Sequence, residues 1–340
     1  MGWISRTAVV AGVVAAAAAA PPVLRQRRAL QDVDPGFLAP LAYLPLSFGP
    51  TTTRVMRSLP SRPAAPVAGV TIDVVTVPGD GGQPPVEVRL YTPHRRSSDG
   101  ALLWIHGGGY IVGSAAEDDP AAGGMAARLG IVVVSVEYRL APEHPFPAAH
   151  DDCLTALRWL HAQAAELGVD PARIAVGGES AGGGLAAALV LRAHDESIPV
   201  CFQYLIYPML DDRTVQRAEA DGAWHVIWSP PSNRYGWASY LGHEPGTQEA
   251  SPYAVPARRA SLAGLPPAWI GVGSADLFAA EDIDYAARLE AAGVACELVV
   301  VPGMYHAAQR FAPGYAPSVD FEISGEDALA RALRTGRAAV

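Results

Sequence analysis

Short apolar runs of strand type alternate with stretches of helical periodicity from residue 70 to the end of the chain. Runs rich in β-branched and aliphatic residues predict strands over 70–77, 86–91, 101–105, 131–136, 173–176, 200–206, 268–272 and 296–301. Apolar residues at helical spacing predict helices over 120–129, 148–167, 181–194, 280–292 and about 325–334. The first two strands flank a cluster of Pro and Gly and are expected to pair antiparallel. Alternating strands and helices otherwise build a mostly parallel sheet covered on both faces, which predicts an α/β fold.

Two stretches, 35–66 and 208–256, do not fit this alternation. The second is rich in large aromatic side chains, namely Trp224, Trp228, Tyr235, Trp237 and Tyr240. An insertion of this composition beside a sheet is typical of a lid over an apolar pocket. The alternative is an insertion that packs into a small core of its own.

The composition limits the chemistry that the chain can perform. Half of its 340 residues are hydrophobic, and the formal net charge is −9. Because an acidic protein repels phosphate, nucleic acid is not expected as a partner. All 25 basic residues are arginine, which excludes catalysis through a lysine amine. The three cysteines lack the spacing of a metal site, so we expect free thiols and no metal at Cys153, Cys201 and Cys296.

The N-terminal extension, residues 1–30, contains an alanine-rich apolar run over 7–24 that arginines flank on both sides. Three interpretations stay open: a signal peptide, a membrane anchor, or an extension of a cytoplasmic protein. Pro21 and Pro22 interrupt the run below the usual spanning length. We favour the cytoplasmic interpretation and expect any membrane contact only through this extension.

A candidate nucleophile lies in the motif Gly178-Glu179-Ser180-Ala181-Gly182, between a predicted strand and a predicted helix. A serine on such a tight turn has a strained backbone, and side chains two positions before and after it would collide. Its hydroxyl projects at the N-terminus of a helix, where the dipole favours an anion. The alternative is a glycine-rich helix start in which the serine only caps the helix.

A second glycine motif, His106-Gly107-Gly108-Gly109, follows the predicted strand 101–105. In acyl transfer the carbonyl oxygen becomes an oxyanion, and backbone N–H groups must point at it without side chains in the way. Two glycine N–H groups together with the N–H of Ala181 form such an oxyanion hole. A flexible loop without this function is the alternative.

A serine hydroxyl needs a base to remove its proton, and in this type of fold the acid and the base follow the serine along the chain. The histidines after the serine are His194, His225, His243 and His306. Only His306 follows a predicted strand by a short loop, where a side chain reaches over the carboxyl edge of the sheet. Asp276 follows the preceding strand in the same way and is the predicted acid, with Glu281 as the alternative.

Three motifs together resemble the bacterial hormone-sensitive-lipase family of esterases. They are the His-Gly-Gly-Gly motif, the segment Glu-Tyr-Arg-Leu-Ala-Pro-Glu-His-Pro-Phe-Pro-Ala-Ala at 137–149, and Gly-Glu-Ser-Ala-Gly-Gly at 178–183. The resemblance covers about residues 65–310. It implies an α/β-hydrolase core over 65–207 and 257–340, and a helical cap formed by 31–64 and 208–256. It also implies that Gly108 and Gly109 donate to the oxyanion, while the other motif residues, His106, Gly107, Gly178, Glu179 and Gly182, support the site.

The chain departs from the family pattern at two places. The acid motif usually reads Asp-Pro-Leu-x-Asp-Glu, whereas residues 276–281 read Asp-Leu-Phe-Ala-Ala-Glu. The histidine is usually followed by Gly-Phe, whereas Ala307 and Ala308 follow it here. The second change is expected to alter the pocket wall or the flexibility of the loop, and through them the choice of substrate.

The predicted reaction is hydrolysis of a small-molecule ester through an acyl-enzyme, without a metal or an organic cofactor. The resemblance implies acyl chains of short to medium length. Hydrolysis of an amide or an acylated amino acid stays open, because the triad does not select the leaving group. The rival class is a ligand-binding protein such as the plant gibberellin receptors, which resemble the family but have lost the histidine; His306 argues for an enzyme. Monomer and homodimer both stay open.

Overall fold

The computed structural model describes residues 20–59, 66–79, 81–221, 225–247 and 250–335. Within these residues eight strands form one sheet: β1 Val70–Val77, β2 Val86–Pro93, β3 Ala101–Ile105, β4 Val132–Glu137, β5 Ile174–Glu179, β6 Phe202–Ile206, β7 Ala268–Gly273 and β8 Cys296–Val301. Their order is β1-β2-β4-β3-β5-β6-β7-β8. Strand β2 is antiparallel to β1 and to β4, and the remaining neighbours are parallel. The predicted α/β class is confirmed.

The helices in the described residues are α1 Ala20–Ala29, α2 Pro50–Ser58, α3 Asp119–Leu129, α4 Ala148–Ala162, α5 Ala181–Asp195, α6 Thr214–Asp221, α7 Pro230–Leu241, α8 Ala279–Ala291, α9 Ala308–Phe311 and α10 Ala316–Thr335. Of the five helices predicted from the sequence, two differ clearly in their bounds. Helix α4 ends at Ala162, before the predicted end at 167, and α10 begins at Ala316, well before 325.

The early start of α10 has a steric cause. Gly325 lies in the middle of the helix, where the sequence pattern predicts its beginning. A Cβ built on Gly325 would lie 2.7 Å from the ring of Tyr204 and 3.1 Å from that of Trp269. The glycine therefore lets the helix approach the sheet closely, although glycine otherwise favours a helix end.

Two apolar layers enclose the sheet. Strands β3 and β7 are buried along their whole length, as expected for strands covered on both faces. Helices α4, α5 and α8 pack on one face through residues such as Leu157 and Leu189. Helices α3 and α10 pack on the other through residues such as Met125 and Leu329. The parallel strands therefore share one carboxyl edge, at which the loops carrying the candidate site meet.

The two segments that do not fit the alternation contact each other. The Phe48 N–H donates to Ser232 Oγ at 2.8 Å, and the ring of Phe48 lies 5.6 Å from that of Trp228. Helix α2 is fixed to the core by Arg57, whose Nε donates to the carbonyl of Ile111 at 2.8 Å. Trp224 and residues 60–65 of these segments lie outside the described residues.

Most of the N-terminal extension, residues 1–19, also lies outside the described residues. In the ranges that the structure describes, no helix combines the length and the apolar character needed to cross a membrane.

Candidate active site

Ser180 lies in a sharp turn between β5 and α5. Its backbone has φ 54° and ψ −124°, a conformation that residues other than glycine rarely adopt. A Cβ on Gly178 would lie 2.4 Å from the carbonyl oxygen of Gly182, and a Cβ on Gly182 would lie 2.1 Å from that of Ile105. Backbone crowding therefore requires glycine on both sides of Ser180, which presents its side chain above the sheet edge.

Three side chains from three loops form one hydrogen-bonded line. His306 Nε2 lies 2.9 Å from Ser180 Oγ, and His306 Nδ1 lies 2.8 Å from Asp276 Oδ2. All three residues are buried, with relative exposures of 6% for Ser180, 3% for Asp276 and 5% for His306. The structure thus brings together the three side chains for which the sequence predicts the roles of nucleophile, acid and base.

The surroundings of Asp276 and His306 restrict their movement. The other oxygen of Asp276, Oδ1, accepts the N–H of Phe278 at 3.0 Å. The imidazole lies edge-on to two rings, with centroid distances of 4.7 Å to Tyr207 and 5.2 Å to Phe278. A carboxylate that is held by a backbone N–H fixes the orientation of the imidazole that it contacts.

Glu281, the alternative acid, does not contact His306. Its Oε1 accepts the N–H of Leu210 at 2.7 Å and that of Asp211 at 3.2 Å, and its Oε2 accepts the hydroxyl of Thr214. Burial raises the pKa of Glu281 to about 8. The side chain therefore holds the beginning of the 208–256 insertion and does not take part in the hydrogen-bonded line.

His225 lies closer to the candidate site than its sequence position indicates. Its Nδ1 is 3.3 Å from the carbonyl of Ala275, the residue before the acid, and burial lowers the pKa of the imidazole. His194, at the far end of α5 from Ser180, lies beside Gly264, in the segment that leads into the amino end of β7. His306 is the histidine that reaches Ser180 Oγ.

The predicted oxyanion loop passes close to Ser180. A Cβ on Gly107 would lie 3.3 Å from Ser180 Cβ, and Gly108 and Gly109 have φ of 119° and 60°. Among the described residues, none accepts a hydrogen bond from the N–H of Gly108 or Gly109. Ala181 begins α5, where the first N–H groups of a helix have no partner within it. These donors are available to a bound anion.

His106 supports this loop from inside the protein. Its ring stacks on Tyr138 at 4.2 Å, and its Nδ1 lies 2.8 Å from the carbonyl of Gly107. Burial lowers the pKa of His106, so the ring is neutral at pH 7. The Tyr138 hydroxyl donates to the carbonyl of His106 at 3.0 Å, which fixes the backbone at the start of the loop.

Trp228 joins the insertion to the oxyanion loop. A Cβ on Gly109 would lie 2.0 Å from the indole of Trp228, so the indole fills the space where a side chain of residue 109 would project. Helix α7 approaches the same loop at Gly236, where a Cβ would lie 2.9 Å from the Gly109 carbonyl. The sequence pattern places Trp228 in a lid but does not indicate this contact.

Sequence reasoning also missed the partners of Glu179. The Tyr207 hydroxyl donates to Glu179 Oε2 at 3.1 Å, and Arg310 Nε donates to the same oxygen at 2.9 Å. Tyr207 follows the carboxyl end of β6, a position that is a general signal for site residues in an α/β sheet. Its φ is +35°, which is unusual for an aromatic residue.

A hydroxyl bonded to an imidazole, which is in turn bonded to a carboxylate, is an arrangement for nucleophilic attack on a carbonyl. Free backbone N–H groups beside the hydroxyl are suited to the negative charge that such an attack creates. The geometry therefore supports acyl transfer.

Comparison with known proteins agrees with this chemistry. A family model described as the alpha/beta hydrolase fold matches residues 102–310. Carboxylesterase NlhH of Mycobacterium tuberculosis is 36% identical, over 90% of this chain and 98% of that protein. Esterase LipI of the same organism is 34% identical, over 82% of this chain and 84% of that protein. Among solved structures, a bacterial heroin esterase is similar, with a TM-score of 0.80 and 38% identity over 91% of this chain and 99% of that one.

Proposed function

The chain belongs to the hormone-sensitive-lipase family of α/β hydrolases and is a carboxylic ester hydrolase, and on this premise we propose that Ser180, His306 and Asp276 hydrolyse short- to medium-chain acyl esters through an acyl-enzyme. The observation that carries the proposal is a pair of hydrogen bonds, one between Asp276 Oδ2 and His306 Nδ1 and one between His306 Nε2 and Ser180 Oγ. Both distances between these atoms are below 3.0 Å.

In the first step His306 Nε2 accepts the proton of Ser180 Oγ as the oxygen attacks the ester carbonyl. The carbonyl oxygen becomes an oxyanion that the N–H groups of Gly108, Gly109 and Ala181 stabilise, each contributing about 3–4 kcal/mol. Asp276 stabilises the imidazolium that forms. His306 then gives its proton to the alcohol, which leaves an acyl group on the serine.

In the second step water attacks the acyl-enzyme and His306 takes a proton from it. The tetrahedral intermediate collapses, the proton returns to Ser180 Oγ, and the carboxylic acid leaves. Every proton transfer uses His306 Nε2, so one base serves both steps.

We further propose that 31–64 and 208–256 form a cap over a catalytic core of 65–207 and 257–340. The contacts of Phe48 with Ser232 and Trp228 support one unit built from both segments. Trp228 supports the preference for limited acyl length, because its indole fills the space beside Gly109 of the oxyanion loop.

The test is hydrolysis of p-nitrophenyl esters from acetate to palmitate by the wild type and by Ser180→Ala. Since members of a triad act as a unit, we expect the loss of the nucleophile to lower kcat by roughly 10⁴- to 10⁶-fold. Rates for the wild type are expected to peak at short to medium chains. p-Nitroacetanilide in the same assay separates ester from amide hydrolysis.

Ser261→Ala is the matched control, because Ser261 is exposed and its hydroxyl accepts only the N–H of the nearby Ala263 among the described residues. It should keep the wild-type rate. Full activity of folded Ser180→Ala would contradict the assignment of the nucleophile. A wild type that is inert on every ester would instead favour a ligand-binding role, and a maximum at palmitate would contradict the proposed chain length.

A further inference from the structure

Three charged side chains, Arg310, Glu179 and Asp118, form an ion cluster next to the hydrogen-bonded residues Ser180, His306 and Asp276. The proposed reaction does not use these three side chains. Arg310 bridges two carboxylates: its Nε donates to Glu179 Oε2 at 2.9 Å, and a terminal nitrogen donates to Asp118 Oδ1 at 2.9 Å. The same terminal nitrogen lies 2.7 Å from Glu179 Oε2. The side chains of Glu179 and Asp118 are only 12% and 6% exposed, so little water replaces the arginine as a partner.

The cluster joins the three pieces of the candidate site. Glu179 directly precedes the nucleophile, and Arg310 follows the base by four residues on α9. Asp118 follows the oxyanion loop and also accepts Trp104 Nε1 at 2.9 Å, and Trp104 lies in β3, the strand that enters the loop. The guanidinium of Arg310 thus connects the turn that carries Ser180, the loop that carries His306 and the segment that follows the oxyanion loop.

A second series of hydrogen bonds connects the loop that carries His306 to Glu179. Gln309 Nε2 donates to the Tyr207 hydroxyl at 2.6 Å, and that hydroxyl donates to Glu179. Tyr207 is also one of the two rings that contact the imidazole of His306. The base loop is therefore tied to the nucleophile turn through two consecutive residues, Gln309 and Arg310.

Removing the arginine leaves two buried carboxylates facing each other without a cation. Burial raises the pKa of Glu179, and the guanidinium of Arg310 opposes that rise. Without the cation the carboxylates repel or take up protons, and either change moves the elements that carry them. A displacement of about 1 Å at a catalytic group can lower a rate by roughly 10²-fold.

We propose that Arg310 is a positioning residue whose bridge between Glu179 and Asp118 sets the alignment of His306 with Ser180. The inference rests on the proposed function, because it assumes that these two residues react. A guanidinium suits the role since its planar fork donates to two carboxylates at fixed angles.

The test compares Arg310→Met with Arg192→Met in the full chain. Arg192 is a matched control: its side chain is equally exposed, at 25%, and it too bridges two carboxylates, at 2.6 Å to Asp151 and 2.9 Å to Glu196. It lies twelve residues beyond Ser180 on α5, which corresponds to about 18 Å. kcat and KM are measured on p-nitrophenyl butyrate, with folded sites counted by titration with diethyl p-nitrophenyl phosphate.

We expect Arg310→Met to lower kcat per titrated site by about 10- to 100-fold with KM within about twofold, because alignment affects the transition state more than substrate binding. Arg310→Lys should recover part of the loss, and Arg192→Met should keep the wild-type kcat. Unchanged kcat in folded Arg310→Met would overturn the proposal, as would an equal loss in Arg192→Met.

Should Arg310→Met not fold, Glu179→Gln replaces it, because it removes one charge of the bridge and keeps the shape of the side chain. The same loss of kcat at constant KM is expected, and an unchanged kcat would overturn the proposal. Ser180→Ala distinguishes a failure of the proposed function from a failure of the positioning role of Arg310. An active wild type and an inert Ser180→Ala, together with a fully active Arg310→Met, would refute the role of Arg310 and leave the proposed function standing.

Discussion

The turn that carries Ser180 and the loop that carries His306 each hold a residue other than glycine at positive φ, with ψ of −124° at Ser180 and 22° at Ala307, and they do so by different means. Ser180 has φ 54°, and Ala307, directly after the base, has φ 60°. Around the serine, glycines are required because backbone atoms lie within 2.4 Å of where their Cβ atoms would be. Around the histidine, alanine occupies the left-handed position, and Gln309 and Arg310 fix the loop by hydrogen bonds.

The turn that carries Ser180 (the nucleophile turn) is therefore specified by backbone atoms that leave no room for a Cβ. The loop that carries His306 (the base loop) is specified by side-chain hydrogen bonds. The first kind of constraint is local and appears as a motif in the sequence. The second depends on residues far apart in the chain, such as Asp118 and Arg310, and no short motif records it. The two kinds of constraint should respond differently to mutation.

Among the variants that compare the turn with the loop, the largest effect on kcat is expected for the loop that carries His306. Asp276→Asn keeps the shape of the side chain but favours the wrong tautomer of His306, so kcat should fall by about 10⁴-fold. Steady-state kinetics on a p-nitrophenyl ester measure the loss, and circular dichroism checks the fold.

Glu281→Gln is the control for Asp276→Asn, since it changes the other acidic residue of the same motif. It should keep kcat within a few-fold, because Glu281 contacts the start of the insertion and not His306. Comparable losses in both variants would show that the base does not depend on Asp276 specifically.

A large effect on stability is expected at the nucleophile turn. In Gly182→Ala the new methyl carbon would lie 2.1 Å from the Ile105 carbonyl, so the backbone must move. We expect a loss of about 3 kcal/mol in the free energy of unfolding and a fall in kcat of roughly 10²-fold. Denaturant unfolding and steady-state kinetics measure the two changes.

The matched control is Gly124→Ala on α3, where the new methyl would meet only the flexible end of Arg128. Alanine favours a helix over glycine by about 1 kcal/mol, so this variant should be as stable as the wild type or more stable. If Gly182→Ala were equally harmless, backbone crowding would not be what specifies the turn.

The smallest effect is expected at Ala307. Since an L-residue in the left-handed region is strained, Ala307→Gly should raise the free energy of unfolding by about 0.5–1 kcal/mol. Denaturant unfolding measures the change. Ala312→Gly, four residues after α9 begins and with φ −128°, should lower stability instead. A loss of stability in Ala307→Gly would mean that surrounding contacts fully offset the strain.

Much of the fold could be predicted because its strands are short, apolar and separated by helices. Strand β3 was predicted to within a residue because burial on both faces leaves a continuous apolar run. The bounds of helix α7 could not be predicted because its buried face carries polar residues such as Ser232 and Asn233, while the large apolar ring of Tyr235 lies on its less buried face, so the sequence shows no amphipathic period. Helix α10 was predicted too short because Gly325 serves packing and not termination.

In the candidate site, the residues with a steric or chain-order signal could be predicted. Ser180 has the glycines, and His306 and Asp276 each follow a strand by a short loop. The role of Arg310 and the contact of Trp228 with Gly109 could not be predicted, because they depend on packing between distant segments. Tyr207 has the general signal of a position after a strand, but that signal does not indicate its contact with His306. Glu281 shows the converse, since a motif position near the acid proved to serve the insertion.

The indole of Trp228 in the space beside Gly109 has a consequence for engineering. An exchange of the 208–256 insertion between related esterases assumes that the insertion can be moved without changing the loop at Gly109. Here an exchanged insertion that lacks a large ring at position 228 would leave a void beside the oxyanion loop. An insertion that shifts the ring would clash with that loop. A functional chimera must therefore transfer residues 109 and 228 as a pair.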